Sequence, residues 1–136
     1  MTGVQTCALP ILQAVLVGGV ALLAFLPDSG LAVTVLVMAV LHHALGFAER
    51  FGKHHTRNAQ QAAALMPRIP AWRGSRLSAL HLGLATTTGA LALAMLMVLA
   101  GVTHVLPLAM CAIVSWAGLY LYEQSYVRAG QLPALS

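Results

Sequence analysis

The sequence predicts an all-α integral membrane protein, with four transmembrane helices arranged as two antiparallel hairpins. Three observations lead there. Charged residues make up 7% of the chain against 60% hydrophobic, and the mean hydropathy is +0.85, whereas about a quarter of the residues of a soluble domain are charged. The apolar residues gather in four stretches, over residues 12–26, 31–49, 76–102 and 105–124, to be set against the roughly 20 residues that a helix needs to cross the hydrocarbon core. These stretches lack the two-residue alternation of a barrel strand, and a bilayer offers bare backbone groups no partner, so the helix is the spanning form.

The first stretch has an unusual head. Residues 1–11, "MTGVQTCALPI", are residue for residue the translation of a widely used DNA-sequencing adapter read from a GTG start. They are set aside from fold reasoning as a fusion scar would be, Cys7 with them. The native protein is expected to begin around Leu12, which makes the first span short. The link "PDSG", with Pro27 and Gly30, is a turn too tight for anything but a helix hairpin. After the second span comes a polar segment, residues 50–75, expected to hold a short interfacial helix over 59–66. There Asn58 and Gln61 resemble a capping box and Pro67 marks the end. The third and fourth spans join through "GVTH", and Pro107 stands near the start of the fourth, where proline is tolerated. Gly130 and Pro133 are expected to stop that helix, leaving the last residues along the membrane surface or against a partner.

Charge sets the expected orientation. Of the seven Lys and Arg residues, Arg50, Lys53, Arg57, Arg68 and Arg73 lie between the second and third spans, Arg76 stands at the very start of the third, and Arg128 lies beyond the fourth. The positive-inside rule then places the loop 50–75 and the C-terminus in the cytoplasm. The net charge of +4 thus reports topology, and no nucleic-acid partner is expected. Small residues recur at helix-packing spacing, Gly83 with Thr87, Ala85 with Gly89 and Ser115 with Gly118, and close backbone approach at such positions holds membrane helices together. Trp72, Tyr120, Tyr122 and Tyr126 fall near expected span ends, where amphipathic rings favour the headgroup level.

Few residues offer chemistry. His42, Gly46 and Glu49 share one helix face by i, i+4, i+7 spacing, with the glycine leaving room between two polar groups. Ionisable groups at membrane depth point to function, while a position near the cytoplasmic end lets water or headgroups solvate them; both readings stay open. The pairs His42–His43 and His54–His55 invite a metal reading, since imidazole suits iron. Adjacent histidines on a helix point about 100° apart, however, and His81 and His104 fall at opposite ends of the third span. No metal site is assigned. Cys111 stands alone within an apolar span, so no disulfide or Cys-ligated cluster forms from the native residues.

Three segments, in this order, resemble the C-terminal half of the NrfD/PsrC family, the integral membrane subunits of polysulfide-reductase-type respiratory complexes. They are "ERFGKHHTRNAQQAAALM", "AWRGSRLSALHLGLATTTGALAL" and "LYLYEQSYVRAGQLPALS". The third helix lacks the proline that the family usually carries in its middle. The resemblance implies an intact protein of about eight spanning helices in two four-helix bundles, with this chain as the second bundle. It implies the inner (cytoplasmic) membrane of a prokaryote and no covalently bound cofactor. Quinone or quinol is then the substrate, and the partners are an iron–sulfur subunit and a molybdopterin or cytochrome catalytic subunit. Within the matching motifs His55, Arg57, Glu123, Arg128 and Gln131 are the expected partner contacts. Quinol oxidation releases protons, and His42, Glu49 and His81 are the expected proton path. Two other classes are weighed beside this one: a His-rich membrane di-iron hydroxylase or desaturase, and a structural or transport membrane protein without redox chemistry.

Overall fold

The computed structural model describes residues 3–52 and 56–132, with side chains described from Ile11 onward, Glu49 excepted. Five α-helices follow one another: α1 (Gly3–Phe25), α2 (Ser29–Phe51), α3 (Arg57–Leu65), α4 (Ala79–Leu99) and α5 (Val105–Gln131), with a 3-10 turn over Met66–Arg68 after α3. There is no β-strand among the described residues; one isolated antiparallel bridge joins Pro70 and Ser78. Three helical segments are long and apolar enough to cross a membrane, Ser29–Ala48, Ala79–Leu99 and Val105–Gln131, and a shorter apolar segment covers Ile11–Phe25. The outward faces carry Val33, Val37, Leu93, Leu96, Ile113 and Val127, all exposed. A monomer in water rarely shows apolar surface on this scale, and the long apolar helices point to a membrane-embedded, multi-pass chain.

Helix ends follow local chemistry. Asp28 caps α2, its Oδ1 accepting from the Leu31 N–H at 2.9 Å. Asp28→Ala is expected to lower the stability of the bundle in detergent by about 1 kcal/mol, the usual worth of an N-cap, measured by unfolding in dodecyl sulfate; an unchanged midpoint would show that the α1–α2 packing alone holds this end. The start of α3 corrects the sequence expectation. Thr56, and not Asn58, is its cap, with Oγ1 accepting from the Ala59 N–H at 3.2 Å, because an extended residue two positions earlier already presents a hydroxyl to the first turn. At the end of α4 the Val102 N–H donates to the Met97 carbonyl at 2.9 Å and the Gly101 N–H to that of Val98 at 3.0 Å. This is a Schellman closure, and Gly101 takes the left-handed conformation it needs, φ 76°.

The last helix is longer than expected, running to Gln131 where the sequence reading stopped it at residue 124. Its inner face explains why. Cys111, Ser115, Gly118, Tyr122, Ser125 and Ala129 form one buried stripe, and Ala129 packs with Met66, Ile69, Ala71 and Leu80. The stripe thus continues against the segment that follows α3, and Gly130 lies too near the helix end to break it. That segment is folded back on itself, with the Ala79 N–H donating to the Ile69 carbonyl at 2.8 Å and the Ala71 N–H to that of Leu77 at 2.9 Å.

Packing is most extensive between α4 and α5, and α1 packs against both α2 and α5. Of the small-residue pairs, Gly83, Thr87, Ser115 and Gly118 are buried where α4 meets α5, whereas Ala85 and Gly89 are exposed. The main core joins Leu16, Val20 and Leu23 of α1 to Ala32, Val35 and Ala39 of α2, with Leu91, Ala112 and Leu119 closing it from α4 and α5. Trp116 ties α5 to α1, its indole N–H donating to the Val17 carbonyl at 3.2 Å.

Candidate functional site

Several polar side chains meet at the last turns of α2. His42 is 1% exposed, and neither of its ring nitrogens has a hydrogen-bond partner among the described residues. Its ring meets that of Tyr122 edge-on, with centroids 5.1 Å apart, and that of His43 at 5.7 Å. Gly46, one turn on, faces the same tyrosine, and a Cβ there would collide with the Tyr122 hydroxyl. The i, i+4 pairing of His42 with Gly46 therefore holds as read from the spacing, with a third member supplied by α5.

His43 turns toward α4. Its Nδ1 lies 2.6 Å from the Ala39 carbonyl and its Nε2 3.0 Å from the Thr88 hydroxyl. A carbonyl can only accept, so Nδ1 carries the proton in the neutral ring and Nε2 accepts from Thr88. This is a hydrogen bond between side chains of two membrane helices, where such bonds hold the helices in register. Thr88→Val keeps the side-chain shape and removes the donor. It is expected to cost about 1 kcal/mol in dodecyl sulfate unfolding, and an unaltered midpoint would remove the bond from the forces joining α2 to α4.

Below this cluster, toward Arg50, lies a cavity of about 200 Å³ lined by His43, Gly46, Phe47, Arg50, Phe51, Met66, Leu80, Leu84 and Tyr122. The Arg50 guanidinium stands 4.8 Å from the Phe51 ring centroid, in cation–π range. The site thus combines two imidazoles, a phenol and a hydroxyl with an aromatic wall and a cation, which is a set able to hold and pass protons and to receive an amphiphile.

The other expected site residues fall elsewhere. His81 is exposed in the first turn of α4 and does not line the cavity. Glu49 lies on α2, its side chain outside the described set, and His54 and His55 lie outside the described residues. Arg57 opens α3 and is exposed, as are Glu123, Arg128 and Gln131 on α5. Because α5 runs unbroken through them, Glu123 and Arg128 stand about 140° apart around the axis, whereas Arg128 and Gln131 share a face. Among the described residues no three His, Cys, Asp or Glu side chains gather as metal ligands would.

Tyr122 is the residue whose neighbours sequence reasoning does not supply. Expected near a span end, it is 5% exposed, with its ring against that of His42. The signal for its burial was available, since Tyr122 stands one turn from Gly118 and two from Ser115 on the stripe of small residues. No protein-family model matches the chain, no curated protein matches it, and no solved structure matches it.

Proposed function

We propose that this chain is a membrane-anchor subunit of a respiratory oxidoreductase complex, exchanging electrons between the quinone pool and an iron–sulfur/molybdopterin or cytochrome partner. In this reading the apolar helices α1, α2, α4 and α5 are four spans forming two antiparallel hairpins. The arginine-rich segment between α2 and α4, and the end of α5, face the cytoplasm.

The observation that carries the reading is the cluster of His42, His43, Thr88 and Tyr122 within helices rich in Leu, Val and Ala. Ionisable groups at membrane depth are costly, and they mark proton or substrate paths. Quinol oxidation must deliver protons to water, and the cluster leads along α2 toward Arg50 and the arginine-rich segment. The ordered motifs that resemble the NrfD/PsrC family support the choice of partner. Arg57 on α3, with Arg128 and Gln131 on one face of α5, gives an iron–sulfur subunit exposed polar groups to dock against.

The test is affinity purification of the intact protein from its native membranes. An iron–sulfur subunit is expected to come with it, seen as reduced-cluster signals in electron paramagnetic resonance, together with quinol-linked turnover. Recovery without any cluster-bearing partner, or iron bound by this chain itself, would overturn the reading. Glu49→Gln in the same complex is expected to slow quinol-linked turnover, and unchanged turnover would remove Glu49 from the proton path.

A further inference from the structure

The seam between α2 and α4 is a groove, and its lining has a head and a tail. On α2, Leu36, Val40, His43, Phe47 and Arg50 follow one another in steps of four and three residues, which places them on one stripe. The facing stripe of α4 is Leu84, Thr88 and Leu91. The two stripes enclose a cavity of about 220 Å³ on one side of the His43–Thr88 bond and the cavity of about 200 Å³ on the other. From Leu36 to Arg50 the groove runs about 21 Å at the helical rise, longer than the half-thickness of a hydrocarbon core of about 30 Å. Val40 and Phe47 are exposed along it, so it opens sideways to the surroundings of the helices.

Its Arg50 end differs in kind. Arg50 and Phe51 also border a third, open cavity of about 280 Å³, lined on its far side by Gln60, Ala63 and Pro67. One guanidinium therefore stands where the apolar groove ends, with the Gln60 amide as the other polar group bordering the cavity beyond it. We propose that this groove is a binding site for an anionic phospholipid, with one acyl chain along α2 and α4 and the phosphate on Arg50.

The chemistry selects an anion at the head. A guanidinium carries five N–H donors in its plane, and stacking on Phe51 engages its face, leaving the fork that matches phosphate oxygens. Basic pockets between membrane helices at the arginine-rich end of a protein are where such headgroups bind. The imidazole midway along the groove has no bond to spare, since both His43 nitrogens are already engaged. A neutral amphiphile that needs a hydrogen bond there, such as a quinone, is disfavoured. The inference rests on the membrane-embedded helices alone and does not depend on the quinone-linked reading.

The full chain, purified in a maltoside detergent, is to be mixed with phosphatidylglycerol or phosphatidylcholine of the same acyl chains and observed by native mass spectrometry. One phosphatidylglycerol per chain is expected, retained about tenfold over phosphatidylcholine. Arg50→Gln is expected to cut that retention about fivefold, as befits loss of a charge-assisted contact, while Arg68→Gln, outside the groove, leaves it unchanged. Val40→Trp, which fills the groove from its open side, is expected to reduce retention with helicity unchanged in circular dichroism, and it decides the matter should Arg50→Gln fail to fold. Equal retention of the two lipids, no effect of either groove variant, or displacement of the lipid by an added quinone would overturn the proposal.

Discussion

Replacing Gly83 with valine is expected to force α4 away from α5 and to cost about 3 kcal/mol or more, the upper range for overpacking. A Cβ at this position would lie 2.6 Å from the Gly118 carbonyl oxygen and 2.7 Å from the Tyr122 nitrogen. Both are backbone atoms, so no side chain can rotate out of the way. The contact is reciprocal: a Cβ on Gly118 would meet the hydroxyls of Thr86 and Thr87, and the Gly83 carbonyl oxygen at 2.8 Å. In lipid no hydrophobic force returns the helices to contact, and close packing supplies most of what joins them. Gly89 is the internal control, since nothing lies within 4 Å of a Cβ there. Gly89→Ala should be neutral or gain up to about 1 kcal/mol from helix propensity. Dodecyl sulfate titration of the detergent-solubilised chain, followed by tryptophan fluorescence, reads both variants. A Gly83→Val midpoint equal to that of the unsubstituted protein would show that α4 and α5 meet along another face.

His42→Phe is expected to move stability the other way, raising it by about 1–2 kcal/mol, because a buried polar group without a bond costs roughly that much. The substitution keeps a flat ring against Tyr122 and removes the two nitrogens that have no partner among the described residues. Such a gain in the same titration, together with slowed quinol-linked turnover in the intact complex, is the signature of a residue retained for function at the expense of packing. A loss of stability instead would mean that the nitrogens are bonded in the folded protein and that His42 belongs to the structural core.

The helices were legible because their physics is local. Runs of Leu, Val and Ala and the short links "PDSG" and "GVTH" act within a few residues, and the helix boundaries fall at those links; the Asp28 cap and the Gly101 closure are details that the structure adds. The face shared by His42 and Gly46 was legible for the same reason, being a property of one helix. Tyr122 and Thr88 were not, because their roles need the register of α5 and α4 against α2. The small-residue stripe of α5 marks Tyr122 as inward-facing, but nothing within α5 says that it meets His42 and Gly46. The end of α5 was misjudged on the same ground: Gly130 was weighed without the contact of Ala129 with Met66 and Ile69 that carries the helix past it.

By itself, then, the sequence determined an all-helical chain with long apolar helices, a single arginine-rich segment between α2 and α4, and the stripe of small residues on which α5 packs. Hydropathy and side-chain size are properties of residues taken one at a time or one turn apart. Only the tertiary structure decided which polar groups meet: His43 with Thr88, His42 with Tyr122, and Arg50 at the end of a groove, while His81 stays apart on the outside of α4. The reason is geometric. A rotation of about 100° around a helix axis separates one residue from the next, so a side chain's partner depends on how neighbouring helices are turned. That turn is set jointly by the contacts of Gly83 with Gly118, Gly19 with Val35 and Trp116 with Val17, which no single segment contains.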